Sequence, residues 1–122
     1  MAVRLVLPMP PSVNELFVEV NGYGGKPTRV TTAVYKAWQA NAAWSIKAQR
    51  IASLDADRFA VSIRLPVKMR GDIDNRVKPI LDALVSNRLT PDDRYAWRVS
   101  IERDQAVPAG EAHISIEPVE VK

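Results

Sequence analysis

Apolar and polar residues alternate from the first positions of the chain. Val3, Leu5 and Leu7 face one way, and Ala2, Arg4 and Val6 the other. This predicts a strand ended by Pro8, Pro10 and Pro11, since proline cannot donate to a ladder. "NGYGGKPTR" follows, with three glycines and a proline in nine residues. It predicts a mobile loop with a short strand or hairpin arm on either side. From Thr32 to about Ala52 the period becomes helical, with Thr31 or Thr32 as N-cap. At about 100° per residue, Val34, Ala37, Trp38, Trp44, Ala48 and Ile51 share one side. Lys36, Lys47 and Arg50 fall opposite. "FAVSIRLPV" alternates again, Phe59, Val61, Ile63, Leu65 and Val67 against Ala60, Ser62 and Arg64. Pro66 marks either an edge strand or the point where pairing stops.

A second helix is expected over 75–86, with Val77, Ile80, Leu81, Leu84 and Val85 on its buried stripe. Pro79 lacks the N–H of an interior helical residue and belongs in the first turn. "AWRVSIERD" and "AHISIEP" are two further strands around the loop "QAVPAGEA". The order strand, loop, helix, strand, helix, strand, strand implies an α+β fold in two layers. One mixed sheet carries both helices on one face, in a single domain over 1–122.

The chain has 122 residues, no cysteine and a net charge of +3. Disulfides and thiolate metal sites are excluded. "MAVRLVLPMPP" is no signal peptide, because Arg4 and Pro8 break its apolar run. No segment approaches the roughly 18 apolar residues of a membrane span. A soluble, cytoplasmic protein is expected. The charge is unevenly spread: residues 20–71 hold nine Lys or Arg against Asp55 and Asp57, while 72–122 hold seven basic and ten acidic groups. A basic surface beside an acidic cluster suits a polyanion held over metal.

The acids concentrate at both ends of the second helix, in "GDIDNRVKPILDALVSNRLTPDD". Asp72 and Asp74, two apart in extended backbone, would point to one side, where a divalent cation would relieve their repulsion. Mg²⁺ takes one or two carboxylates plus water and phosphate oxygens. Of Asp92 and Asp93, one would join that pair and the other face out or cap the turn. If the flanking strands adjoin, one of these two acids would meet Asp72 and Asp74 at the same sheet end, and three or four carboxylates would converge on one or two divalent metals. Lys78 either serves this site or pairs with Asp82 four residues on. A calcium loop is excluded, because Arg76, Val77 and Ala83 stand where an EF-hand needs a ligand, a glycine and a glutamate. Helix capping would explain acids at the N-terminal end but not at the C-terminal end. His113 belongs to a polar strand face. Trp38, Trp44 and Trp97 fall at core periodicities.

These residues form a pattern. "GDIDNRVKPILDAL" followed by "DD" resembles the RusA family of Holliday junction resolvases, found mostly in phages and prophages. "LPMPPSVNELF" is similar to that family's Pro-Pro-Ser-x-Asn opening. The resemblance implies a Mg²⁺-dependent homodimeric endonuclease, with Mn²⁺ as a substitute, that nicks four-way DNA junctions symmetrically. It implies Asp72, Asp74 and Asp93 as metal ligands with Asp92 beside them, and Lys78 as the catalytic lysine. Asn14 would lie near the DNA. Lys26, Arg29, Lys36, Lys47, Arg50, Lys68, Arg70 and Arg76 are candidate phosphate contacts. The basic run before Asp72 is interrupted here ("KMRG"), and the turn "RLTP" has no glycine. The alternatives are a DNA-structure-binding protein that does not cleave, and a domain whose acids are structural.

Overall fold

The computed structural model describes residues 2–120. Its main sheet has four strands: β1 (Val3–Pro8), β4 (Phe59–Pro66), β5 (Ala96–Asp104) and β6 (Glu111–Pro118), in the order β1-β6-β4-β5. β6 runs antiparallel to both β1 and β4, and β4 runs parallel to β5. A parallel neighbour needs a crossover, and α2 (Val77–Ser86) supplies it. β2 (Phe17–Asn21) and β3 (Pro27–Thr31) form a separate hairpin. α1 (Ala33–Gln49) follows it. The mixed sheet and both helices agree with the α+β reading, and the hairpin arm flanks the glycine-rich loop as expected.

Register explains the layering. Leu5 lies opposite Ile114, which lies opposite Ile63; Val3 and Val61 both meet Ile116. These side chains share one face of the sheet and merge with Tyr35, Trp38, Ala42 and Ile46 of α1 and Ile80, Ala83 and Leu84 of α2 into one core. Ser62, Arg64, His113 and Ser115 occupy the other face. β4 is central, so Pro66 marks where its pairing ends and not an edge.

α1 turns a different face inward from the one its sequence suggested. Tyr35, Trp38, Ala42 and Ile46 are buried; Val34 is 57% and Trp44 71% exposed. Alanines surround this helix, so its apolar stripe has little contrast, and the tryptophan at 44 pulls the inferred face about a third of a turn away. Trp97 is likewise exposed, because β5 is an edge strand that the helices leave partly uncovered. Only Trp38 is buried, with its Nε1 donating to the Pro8 carbonyl at 2.9 Å.

Two devices seat α1. Thr32 is its N-cap: Oγ1 accepts from the Tyr35 amide at 3.1 Å and donates to the Glu15 carbonyl at 2.6 Å. Gln49 closes the free edge of β1 as a strand would. Its Oε1 accepts from the Val6 N–H at 2.8 Å, and its Nε2 donates to the Val6 carbonyl at 2.6 Å. α2 has its proline where the missing N–H costs nothing, with Pro79 buried in the first turn. No helix among the described residues is long and apolar enough to cross a membrane.

Candidate metal centre and its scaffold

The acid-bearing segment leaves β4 through a tight loop. Met69 bonds back to the Pro66 carbonyl, and Gly71 adopts φ 86°, which costs a glycine nothing. Two arginines fasten this loop, one from far along the chain and one from the turn that follows it. Arg103, near the end of β5, donates from Nη1 to the carbonyls of Val67 (2.9 Å) and Met69 (2.6 Å), and from Nη2 to that of Gly71 (2.9 Å). The guanidinium fork spans three alternate carbonyls, which a point-charge ammonium cannot match. Arg76 donates to the Pro10 carbonyl at 2.7 Å and the Arg70 carbonyl at 3.2 Å. Arg76 is therefore a scaffold residue. These bonds use one N–H of each terminal nitrogen, so the guanidinium has further N–H groups beyond them.

Asp72 follows as the N-cap of a 3-10 turn, Ile73–Arg76. Its backbone is extended, but its carboxylate makes no capping bond. Asp74 sits inside the turn. The strand argument for the pair thus fails at Asp74: in a 3-10 turn of three residues per revolution, positions two apart no longer share a side. Both carboxylates are exposed, and among the described residues neither has a hydrogen-bond or ion-pair partner.

Lys78, on the first turn of α2, points its Nζ at Asp82 Oδ2, 3.4 Å away. The same oxygen accepts from the Tyr35 hydroxyl at 3.4 Å. Burial and the Asp82 charge push the Tyr35 phenol above its ordinary pKa, so it stays a donor. Asp82 therefore holds both groups in place from α2.

Asp92 and Asp93 open another 3-10 turn, Asp93–Tyr95, and not the strand itself. Asp92 caps it: Oδ1 accepts from the Arg94 amide at 3.1 Å, and this bond holds its carboxyl below the usual range. The Asp93 carboxyl is pushed up, first by a hydrogen bond with Asp92, then by slight desolvation and the charges of Asp92 and Asp82; Lys78 opposes this. Asp93 thus faces Asp82 and Lys78.

The flanking strands adjoin, but they run parallel, with Phe59 opposite Ala96 and Pro66 opposite Asp104. The chain leaves β4 at the Pro66 end and re-enters β5 at the Phe59 end. The acid pairs do not meet at one sheet end as expected; α2 spans the gap, packed on both 3-10 turns. Among the described residues, no three His, Asp or Glu side chains gather in a group that holds a metal as placed. The expected convergence of Asp72, Asp74 and Asp93 is not a preformed cluster. The donor chemistry still suits a hard divalent cation, because every candidate ligand is a carboxylate and two have no partner to give up.

The other predicted residues spread over one basic body. Lys68 and Arg70 are exposed on the loop before Asp72, and Asn14 is exposed on a turn that packs against both Ile73–Arg76 and α2. Arg29 stacks over the Phe17 ring at 3.9 Å on the hairpin, and Lys26 lies in its turn. Lys36 is exposed on α1. Lys47 and Arg50 line a groove of about 670 Å³ with Trp44, Ile51 and Leu89, which no acid enters. His113 stays on the polar face, bonded to Glu111 at 3.0 Å.

Asp82, Tyr35 and Arg103 were not singled out as site residues from the sequence. Asp82 was visible as the i+4 partner of Lys78. Nothing local marks Arg103, whose acceptors lie 32 to 36 residues away. Against known proteins, residues 8–117 match the family described as Endodeoxyribonuclease RusA. No curated protein sequence matches the chain.

Proposed function

Because the chain belongs to the RusA endodeoxyribonuclease family over nearly its whole length, we propose that it is a Mg²⁺-dependent nuclease that resolves four-way DNA junctions by paired symmetric nicks. It would act in the cytoplasm as a homodimer, with Mn²⁺ a workable substitute. The observation that carries this reading is the unpartnered pair Asp72 and Asp74, presented on a loop that two arginines fasten. Exposed carboxylates with no protein partner have their oxygens free to take up a hard divalent cation.

Asp72 and Asp74 would hold the ion, with Asp93 as a third ligand and Asp92 turned to its cap. A bound divalent ion would activate a water and offset charge on the phosphate. The chain does the rest. Lys78, aligned by Asp82, places an ammonium next to the scissile phosphate, where negative charge grows in the transition state. Lys68 and Arg70 flank the acids and would grip the backbone on either side. Asn14 borders the same surface, and Lys26, Arg29, Lys36, Lys47 and Arg50 extend it across the hairpin and α1. A two-fold dimer sets two such sites against two opposed strands.

Asp74→Asn tests the reading with a synthetic four-way junction and Mg²⁺. Wild type should give paired nicks. The variant should bind equally well and cut at least about a hundredfold more slowly, as expected when a group acting in the transition state is lost. Wild type that binds without cutting would favour a non-cleaving structure-binding protein. No binding at low salt would leave the acids a structural role.

A further inference from the structure

The two edges of the main sheet are treated differently. β1 is closed by Gln49 and Ser45, whose side chains occupy the Val6 N–H and carbonyl. β5 is bare. It is nine residues long, it pairs only with β4, and among the described residues no hydrogen bond reaches its outer edge. Its core-side face is also partly uncovered, with Trp97 55% and Val99 39% exposed, although Arg58 lies over one side of the indole at 5.2 Å. An exposed, paired-ready edge of this length is an association site unless its charges repel a second strand.

Its charges do the opposite. Laid antiparallel on a copy of itself about Ser100, β5 sets Arg98 against Glu102, Val99 against Ile101 and Trp97 against Arg103. Arg98 and Glu102 point to the polar face, Val99 and Ile101 to the core side. Each opposition is favourable and occurs twice by symmetry. The Arg103 guanidinium spends its edge on loop carbonyls, which leaves its face free for an indole.

We propose that β5 is the dimer surface, joining two copies into one continuous eight-stranded sheet with its two-fold axis at Ser100. This deepens the homodimer part of the reading above, and it places the loop anchor Arg103 inside the subunit interface.

Charge swapping tests it, in the absence of DNA and metal. By light scattering on a sizing column, wild type should show twice the 13.6 kDa chain mass. Arg98→Glu and Glu102→Arg should each weaken the dimer by roughly tenfold or more, since two symmetry-related pairs become repulsive. The double variant should restore it. Arg98 also bonds Glu117 at 2.9 Å, so thermal melts must show each variant folded. If single variants are folded and dimerise like wild type, or wild type is monomeric, the pairing is overturned. Junction cleavage is scored separately: a monomer that cuts refutes the pairing alone, and a dimer that never cuts refutes the nuclease reading alone.

Discussion

Arg103 has a large role for a side chain 32 residues along the chain from Gly71, the neighbour of Asp72. Three carbonyls of the 67–71 loop converge on it, and that loop ends at Asp72. Arg103→Ala should leave the chain folded while cleavage falls roughly 10- to 100-fold, the scale for a small misplacement of reacting groups. Arg103→Lys should not rescue it, because one ammonium cannot span three carbonyls. Single-turnover rates at saturating junction would show whether the loss lies in chemistry. Asp104, next along, supports a pH prediction. The Ala106 amide and Arg64 hold its carboxyl below 3.8. A depressed pKa gives stability above the unfolded value that is lost as pH falls through the folded one. Asp104→Ala should therefore melt below wild type at pH 7, with the gap closing as pH falls below 3.8.

Among the elements, α1 shows best how far local signals reach. Its start was legible: Thr32 is an N-cap, and Thr32→Ala should cost about 1 kcal/mol or somewhat more in urea unfolding, with Thr32→Ser nearly neutral. Its buried face was not legible. Tyr35 and Ala42 face inward because β1 and α2 lie there, and nothing in an alanine-rich run says so. α2 is the contrary case. Ile80 and Leu84 are buried as their spacing predicts, and Pro79 fixed its first turn. β5 alternated correctly, yet Trp97 and Val99 remain exposed, because alternation marks a face without saying what covers it.

For the whole molecule, phosphate contacts should dominate DNA affinity. Replacing both Lys68 and Arg70 with glutamine should lower the slope of log affinity against log salt by about 2, if each neutralises one phosphate. A titration of junction binding against ionic strength measures this. The candidate acids themselves were all visible in the sequence, since a carboxylate without an apolar role stands out in any segment. So were the strands and helices, whose periods follow from backbone geometry. The relation between the acid pairs was not. An i+2 spacing reads as one face only if the backbone is extended, and the chain instead forms a 3-10 turn at Ile73–Arg76. Two strands flanking a helix read as one sheet end only if they run antiparallel, and β4 and β5 are parallel. Residue type, period and turn chemistry are local, so the sequence alone determined the elements and the chemistry available to them. Strand direction, the covered face of α1, the arginine anchors and the bare edge of β5 depend on packing between segments far apart in the chain, and the tertiary structure decided them.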